Sequence, residues 1–300
     1  MPPRSLVLGG GGIRGFSFVG ALKYLEQRRP LREAFTHVAG TSIGSLIGLM
    51  VVLGYTVCEM EEETFHFNFE SLSEELKSLD TLQVAERYGI NSGDLLVDQI
   101  KQIIRRKTKN GNVSLQELYE RWSNGMQLDI VTVNVNQGKT AVLNHSTAPE
   151  LPVYKAVRMS VSVPLLFHPV RYKGDLYVDG GLLSNFPMHC VPKGQDAIGF
   201  RIGSGITGDV STFQAYITSI IYGVLQEMEE LRLTETGPRG IVVDIDIPAN
   251  APAAFQFKIS DKNKRRLIKL GYTEAKKALK DYCYYVEYEE TSSISKGSKE

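Results

Sequence analysis

Hydrophobic and polar positions follow two kinds of pattern along this chain. Short apolar runs that end in glycine or a turn are typical of buried strands, whereas apolar residues spaced three and four apart are typical of helices packed on a sheet. The predicted strands are Leu6–Leu8, His37–Thr41, Leu128–Val135, Thr140–Asn144, Val170–Tyr172, Leu176–Val178, Ala197–Ile202 and Ile241–Ile247. The predicted helices are Ile13–Gln27, Ile43–Leu53, Val153–Ser160, Thr212–Leu233 and Lys262–Tyr282.

The order of these elements predicts the fold class. Strands and helices that follow one another in turn favour an α/β fold, here a three-layer α/β/α sandwich with a mostly parallel central sheet. No linker divides the chain, so we expect a single domain over residues 1–285. Residues 286–300 are rich in Glu, Ser and Lys, a composition that predicts a disordered tail.

Composition excludes several classes of protein. The 34 Lys and Arg residues balance 34 Asp and Glu residues, so the chain offers no general field that would attract nucleic acid. Its 3 cysteines are far apart and lack the spacing of a zinc site or a disulfide framework, which indicates a reducing, cytoplasmic environment. The first apolar run is too short for a signal peptide, and the uncharged run Ser42–Cys58 is shorter than the ~20 apolar residues of a membrane-spanning helix.

A glycine-rich junction follows the first predicted strand, with the sequence GGGGIRG from Gly9 to Gly15. Successive backbone N–H groups and the start of the next helix can hold an anion there. A P-loop is excluded, because Phe16 follows Gly15 where that motif needs lysine. The spacing of Gly10, Gly12 and Gly15 matches a dinucleotide fingerprint, but the second strand ends without the acidic residue that would hold a ribose. A non-catalytic protein that binds a dinucleotide or a lipid through this loop stays an alternative.

A second junction, GTSIG from Gly40 to Gly44, matches the nucleophile elbow G-x-S-x-G. In this motif a strained turn between strand and helix presents the hydroxyl of the serine, here Ser42. The alternative is an ordinary serine N-cap in a glycine-rich turn. If the first two strands are neighbours, the N–H groups of the glycine loop would face the oxygen that becomes negative when Ser42 attacks a carbonyl. The two junctions together favour acyl transfer.

The candidate base is Asp179, which ends a predicted strand and is followed by Gly180 and Gly181. The same residues are also typical of an ordinary Asp-Gly turn. An ordinary aspartate has a pKa near 3.9, so a base near neutral pH would need burial or a short hydrogen bond. A triad of Ser42, Asp179 and His189 has the chain order of α/β-hydrolases. That fold places several strands before the elbow, whereas only about two fit here, so the triad is the alternative mechanism.

The three blocks GGGGIRG, GTSIG and DGG occur in an order that resembles the patatin-like phospholipase family. RMSVSVPLLFHP at residues 158–169 and LIKLGY at residues 267–272 resemble two further blocks of that family. The resemblance implies a Ser-Asp dyad, with Ser42 as nucleophile and Asp179 as general base. It also implies an oxyanion hole and supporting turns built from glycines: Gly10, Gly11 and Gly12 for the hole, and Gly15, Gly40, Gly44, Gly180 and Gly181 for the elbow and turns.

The activity implied by the resemblance is that of a serine lipid acyl hydrolase of the phospholipase A type. Such an enzyme cleaves fatty-acyl esters of glycerophospholipids through an acyl-enzyme, needs no metal or other cofactor, and works peripherally at a membrane surface. Arg14 matches a position that is often basic and could attract a phosphate head group or cap a carboxylate.

Charged runs suggest how such an enzyme could meet a membrane. The basic runs Lys101–Lys109 and Lys262–Arg266 could approach anionic lipid. The acids Glu61–Glu63 are interpreted as a solvated helix face rather than a calcium site. Met60–Leu79 could form a lid or a helix packed on the sheet.

Overall fold

The computed structural model describes residues 2–67, 86–203, 220, 223, 227, 240–248, 250–252, 254 and 258–280. Apart from three single positions, the predicted helix Thr212–Leu233 lies outside the described residues. The tail at 286–300 and the second part of the Met60–Leu79 segment also lie outside them.

The described strands are β1 (Ser5–Leu8), β2 (His37–Thr41), β3 (Gly89–Asn91), β4 (Gln127–Asn134), β5 (Lys139–Leu143), β6 (Leu165–Phe167), β7 (Val170–Tyr172), β8 (Asp175–Asp179), β9 (Ala197–Ile202) and β10 (Gly240–Ile245). The described helices are α1 (Phe16–Glu26), α2 (Leu31–Ala34), α3 (Ile43–Val52), α4 (Val57–His66), α5 (Asp94–Thr108), α6 (Leu115–Arg121), α7 (Val153–Ser160) and α8 (Asp261–Leu279). Short 3-10 turns cover Gly12–Gly15, Gly180–Leu182 and Met188–Cys190.

These bounds confirm the predicted strands to within about two residues. The first helix begins at Phe16 rather than at Ile13, because the glycine loop passes through a 3-10 turn before the regular helix starts. The strands β3 and β6 were not predicted, since three residues are too few to establish a period.

The central sheet confirms the predicted α/β fold class. Its strands β10, β9, β1, β2 and β4 lie side by side and are all parallel. The strands β5 and β8 pair antiparallel with β4, and β7 pairs antiparallel with β8. The strands β3 and β6 form a separate parallel pair. Most of the central sheet is therefore parallel, as the alternation of strands and helices predicts.

The strand β4 joins the two halves of the sheet. Its residues 127–131 pair with β2, 130–134 with β5, and 132–134 with β8. Because β5 faces residues that also pair with β2 and with β8, it lies on the opposite edge of β4, and β2 and β8 share one edge end to end. Since β2 is parallel to β4 and β8 is antiparallel, the carboxyl ends of β2 and β8 point at each other. The topology thus brings the residue after β2 next to the last residue of β8.

Both faces of the sheet are covered. Leu6, Leu8 and Val38 point into the larger core, which they share with the helices. Val7 and Ala39 point to the other face, where they pack against Phe186, Val191 and Ala197. Within the described part of the chain, no helix is both long enough and apolar enough to span a bilayer.

Candidate active site

Ser42 lies in the turn between β2 and α3, in a strained backbone conformation. Its φ of 53° and ψ of −126° lie in a region that non-glycine residues rarely adopt. The glycines on either side permit this turn: a Cβ on Gly40 would lie 2.4 Å from the carbonyl oxygen of Gly44, and one on Gly44 would lie 2.3 Å from that of Leu8. The side chain of Ser42 makes no capping hydrogen bond, which argues against the simple N-cap interpretation.

Asp179 lies beside Ser42 at the end of β8 and is buried. Burial raises the pKa of its carboxyl to about 7, while the Ser42 hydroxyl and the N–H of Gly181 lower this pKa in part. The Gly181 N–H donates to Oδ1 over 2.7 Å. Oδ2 of Asp179 is buried and forms no hydrogen bond to any described residue, although the Ser42 hydroxyl lies close enough to lower the pKa of the carboxyl. Catalytic hydrogen bonds are often long or poorly aligned in apo structures and tighten when substrate binds.

The glycine loop lies against Ser42, as expected from the adjacent parallel strands β1 and β2. A Cβ on Gly10 would lie 3.4 Å from Cβ of Ser42. However, the N–H of Gly10 donates to the carbonyl oxygen of Asn185 over 2.9 Å, so this predicted oxyanion donor is already occupied. Among the described residues, the N–H groups of Gly11 and Gly12 have no acceptor. The loop therefore offers two free amides rather than the predicted three.

Arg14, which was predicted to attract a phosphate head group or to cap a carboxylate, lies inside the protein. It is buried, and its Nε donates to the carbonyl oxygen of Pro252 over 2.9 Å. The N–H of the preceding Ile13 donates to the carbonyl oxygen of Ala254, also over 2.9 Å. These bonds fasten the glycine loop to Pro252 and Ala254. The remaining loop glycine, Gly15, packs against Ile43, where an added Cβ would lie 2.3 Å from a methyl group.

His189 is exposed, and its ring contacts other groups than the candidate dyad. Nδ1 lies 3.4 Å from Oγ of Ser184 and Nε2 lies 3.5 Å from Sγ of Cys190. The pKa of Asp179 is shifted by burial, by Ser42 and by Gly181, and His189 is not among these causes. The geometry therefore gives no support to His189 as a bridge between Ser42 and Asp179.

Two residues at the site were missed by the sequence reasoning. Ser160, the last residue of α7, accepts a hydrogen bond from the N–H of Ser42 over 2.9 Å. Asn185 places its side-chain oxygen close to both Gly10 and Gly181, where an added Cβ would lie 2.3 and 3.2 Å from it. The only signal for Ser160 was its place in the RMSVS stretch, which the resemblance already marked as a family block.

Some residues of the charged runs form ion pairs or hydrogen bonds within the protein. Lys107 lies 2.6 Å from Glu59, and Arg106 pairs with the buried Glu63. In the second basic run, Lys264 is buried and donates to the carbonyl oxygens of Phe65 and Phe67. Glu63 thus differs from the predicted solvated acid, and no cluster of three metal-binding side chains occurs in the part of the chain that the structure describes.

A serine on a strained strand-to-helix turn, with a buried carboxyl beside it and free amides nearby, is typical of hydrolases that use a serine nucleophile. The family model described as patatin-like phospholipase matches residues 6–190. This match covers more than half of the chain, so the chain belongs to the patatin-like phospholipase family, a family of lipid hydrolases.

Two viral proteins are among the relatives of this chain. An uncharacterized protein of Acanthamoeba polyphaga mimivirus is 28% identical over 287 residues, which are 92% of this chain and 93% of the relative. A probable lipid hydrolase of Invertebrate iridescent virus 6 is 24% identical over 217 residues, 72% of this chain and 73% of the relative.

Solved structures show the same fold. VipD from Legionella pneumophila matches with a TM-score of 0.54 at 15% identity, over 93% of this chain and 67% of VipD. ExoU from Pseudomonas aeruginosa, in complex with SpcU, matches with a TM-score of 0.53 at 17% identity, over 93% of this chain and 52% of ExoU.

Proposed function

We propose that this protein is a serine lipid acyl hydrolase of the phospholipase A type, with Ser42 as nucleophile and Asp179 as general base. The observation that carries the proposal is the pairing of a strained Ser42 with a buried carboxyl whose pKa is raised to about 7. A general base is most effective when its pKa lies near the working pH. Burial therefore supplies the help that an aspartate needs for this role.

In the first step, the Ser42 hydroxyl attacks the carbonyl carbon of a fatty-acyl ester while its proton passes to Asp179. The carbonyl oxygen becomes negative, and the N–H groups of Gly11 and Gly12 stabilise it. When the tetrahedral intermediate collapses, the ester C–O bond breaks and Asp179 returns the proton to the departing lysophospholipid. The acyl group stays on Ser42.

In the second step, Asp179 takes a proton from a water molecule, which attacks the acyl-enzyme. The intermediate collapses, the fatty acid leaves, and Ser42 regains its proton from Asp179. No step needs a metal ion, so we expect hydrolysis to persist in excess chelator. This mechanism differs from the triad alternative because it uses no histidine base.

The test uses a fluorophosphonate probe, which labels activated serines, together with vesicles of phosphatidylcholine. The wild-type protein should be labelled at Ser42 and should release lysophospholipid and fatty acid in equal amounts. Ser42→Ala should abolish labelling. Both Ser42→Ala and Asp179→Asn should lower the rate of hydrolysis by at least about 10³-fold, because removing one residue of a catalytic unit disables the other.

The control is His189→Ala. Full activity of this variant agrees with the dyad, whereas loss of activity in a folded variant would establish the triad. Absence of labelling in the wild-type protein, combined with binding of a nicotinamide or flavin dinucleotide, would instead favour a non-catalytic use of the glycine loop.

A further inference from the structure

The C-terminal turn of α7 lies at the point where β2 and β8 meet end to end along β4. Ser160 is fully buried there, and its hydroxyl has two partners on two different elements. It accepts from the N–H of Ser42 over 2.9 Å and donates to the carbonyl oxygen of Val131 over 2.6 Å. The hydroxyl proton is therefore directed at β4, which leaves a lone pair for Ser42.

The carbonyl group of Val131 lies at the junction between the two strands. Val131 is the last residue of β4 that pairs with β2, and Thr132 is the residue that pairs with Asp179. A Cβ on Gly180 would lie only 2.3 Å from the Val131 oxygen, so the chain after Asp179 also passes over this point. Ser160 thus joins the strained nucleophile turn to the place where both strands end.

The same short stretch also holds the carboxylate side of the site. The N–H of Asp179 donates to the carbonyl oxygen of Ser162 over 2.9 Å. Ser162 is buried, and its hydroxyl contacts the guanidinium of Arg158. Residues 158–162 therefore support the backbone of Ser42 through one serine and the backbone of Asp179 through another.

We propose that Ser160 is a positioning residue that holds the Ser42 backbone in its strained conformation, so that the hydroxyl faces Asp179. This inference rests on the proposed function. A backbone in this region persists only where its surroundings fix it, and the hydroxyl of Ser160 accepts the buried Ser42 N–H that the strained turn directs at α7. Ser160 contacts the nucleophile through its main chain and does not itself touch the reacting atoms.

The experiment compares Ser160→Ala with the wild-type protein. We expect the rate of fluorophosphonate labelling and kcat for a soluble short-chain ester to fall about 10- to 100-fold, because small displacements of a nucleophile have effects of that size. KM should stay within about twofold, since substrate contacts are unchanged. Ser160→Thr keeps the hydroxyl and should recover most of the labelling rate.

A matched control separates positioning from a general loss of stability. Ser123 is also fully buried and donates to a backbone carbonyl, that of Tyr119, over 2.8 Å, but it lies at the end of α6 away from the site. Ser123→Ala should label at the wild-type rate per folded molecule, as judged by circular dichroism at a temperature well below unfolding. If Ser160→Ala does not fold, Ser160→Cys still fills the position with a small side chain but offers a much weaker acceptor, and it should show the same loss in kcat.

Wild-type labelling rates in a folded Ser160→Ala or Ser160→Cys variant would overturn the inference. So would a loss that appears only in KM, or an equal loss in Ser123→Ala. Failure of the proposed function looks different, because the wild-type protein itself would then neither react with the probe nor hydrolyse the ester.

Discussion

If Asp179 is the general base, as we propose, its carboxyl sets the pH range in which the protein can work. A general base must be ionised, and burial raises the pKa of this group from its ordinary 3.8 to about 7. We expect kcat/KM for a soluble ester to rise with pH and to level off above an apparent pKa near 7, because kcat/KM reports the free enzyme. Initial rates between pH 5 and 9 measure this profile. A profile that is flat from pH 5 upwards would show that Asp179 is ionised throughout, contrary to its burial.

Single residues also show where sequence reasoning succeeds and where it stops. Ser42 and Asp179 were predicted as nucleophile and base because each lies in a local motif whose glycines indicate a tight turn, and the structure places the two side by side. The engagement of the Gly10 N–H by Asn185 could not be predicted, since it depends on a contact between distant parts of the chain. The hydrogen bond from Arg14 to the carbonyl oxygen of Pro252 could not be predicted for the same reason, because Pro252 lies 238 residues further on.

At the scale of elements, the order and pairing of the strands in the sheet bring together residues whose sequence motifs lie far apart in the chain. The strands β1, β2 and β8 were each predicted from short apolar runs, and the glycine loop and Ser42 were correctly expected to be neighbours. The end-to-end arrangement of β2 and β8 along one edge of β4 was not predicted, because strand period carries no information about which edge a strand joins. That arrangement is what brings Asp179 to Ser42.

Two neighbouring arginines of α5 allow a test of whether its basic run binds membrane lipid or stabilises the fold. Arg106 pairs with Glu63, which is only 7% exposed, whereas the neighbouring Arg105 is exposed and forms no ion pair with any residue that the structure describes. Removing one partner of a buried ion pair leaves the other charge unpaired. Because Arg106 is itself half exposed, we expect Arg106→Gln to lower the free energy of unfolding by only about 1–2 kcal/mol.

Arg105→Gln is the matched control, since it removes the same charge from the same helix. It should change the free energy of unfolding by no more than about 0.5 kcal/mol. Urea unfolding measures both variants, and binding to vesicles that contain anionic lipid is measured in parallel. Equal stability of the two variants, with equal loss of vesicle binding, would mean that α5 serves mainly as a membrane contact.

At the scale of the whole molecule, two buried carboxyls act on stability in opposite directions. Asp129 lies at the opposite, amino-terminal end of the parallel strands, where its oxygens contact His37 at 3.0 Å and Gln127 and Asn144 at 2.8 Å. Burial by itself would raise the pKa of Asp129, but the hydrogen bond and charge of His37, with the two amides, lower it below 3.8. This group therefore contributes stability above its ordinary pKa, and that contribution is lost as pH falls below it.

The contribution of Asp179 to stability changes with pH in the opposite direction, because the pKa of this carboxyl is higher in the folded state than in the unfolded state. Between pH 4 and pH 7 the folded state keeps a proton that the unfolded state releases, so the free energy of unfolding falls as pH rises through this range. One pKa unit corresponds to 1.36 kcal/mol, so a shift from 3.8 to about 7 makes the ionised carboxyl cost about 4 kcal/mol above pH 7. We therefore expect stability to be greatest in mildly acidic solution, whereas activity is greatest above neutral pH.

Urea unfolding from pH 3 to pH 9 tests this separation in wild type, Asp179→Asn and the exposed control Asp98→Asn. At pH 8, Asp179→Asn should be more stable than wild type by a few kcal/mol although it is inactive, and the difference should vanish near pH 4, because both proteins are then uncharged at this position. Asp98→Asn should follow the wild-type curve, and all three proteins should lose stability at the acid end, where Asp129 is protonated. A difference between Asp179→Asn and wild type that does not change with pH would mean that Asp179 titrates alike in the folded and unfolded chain. The site would then lack the buried base on which its proposed chemistry depends.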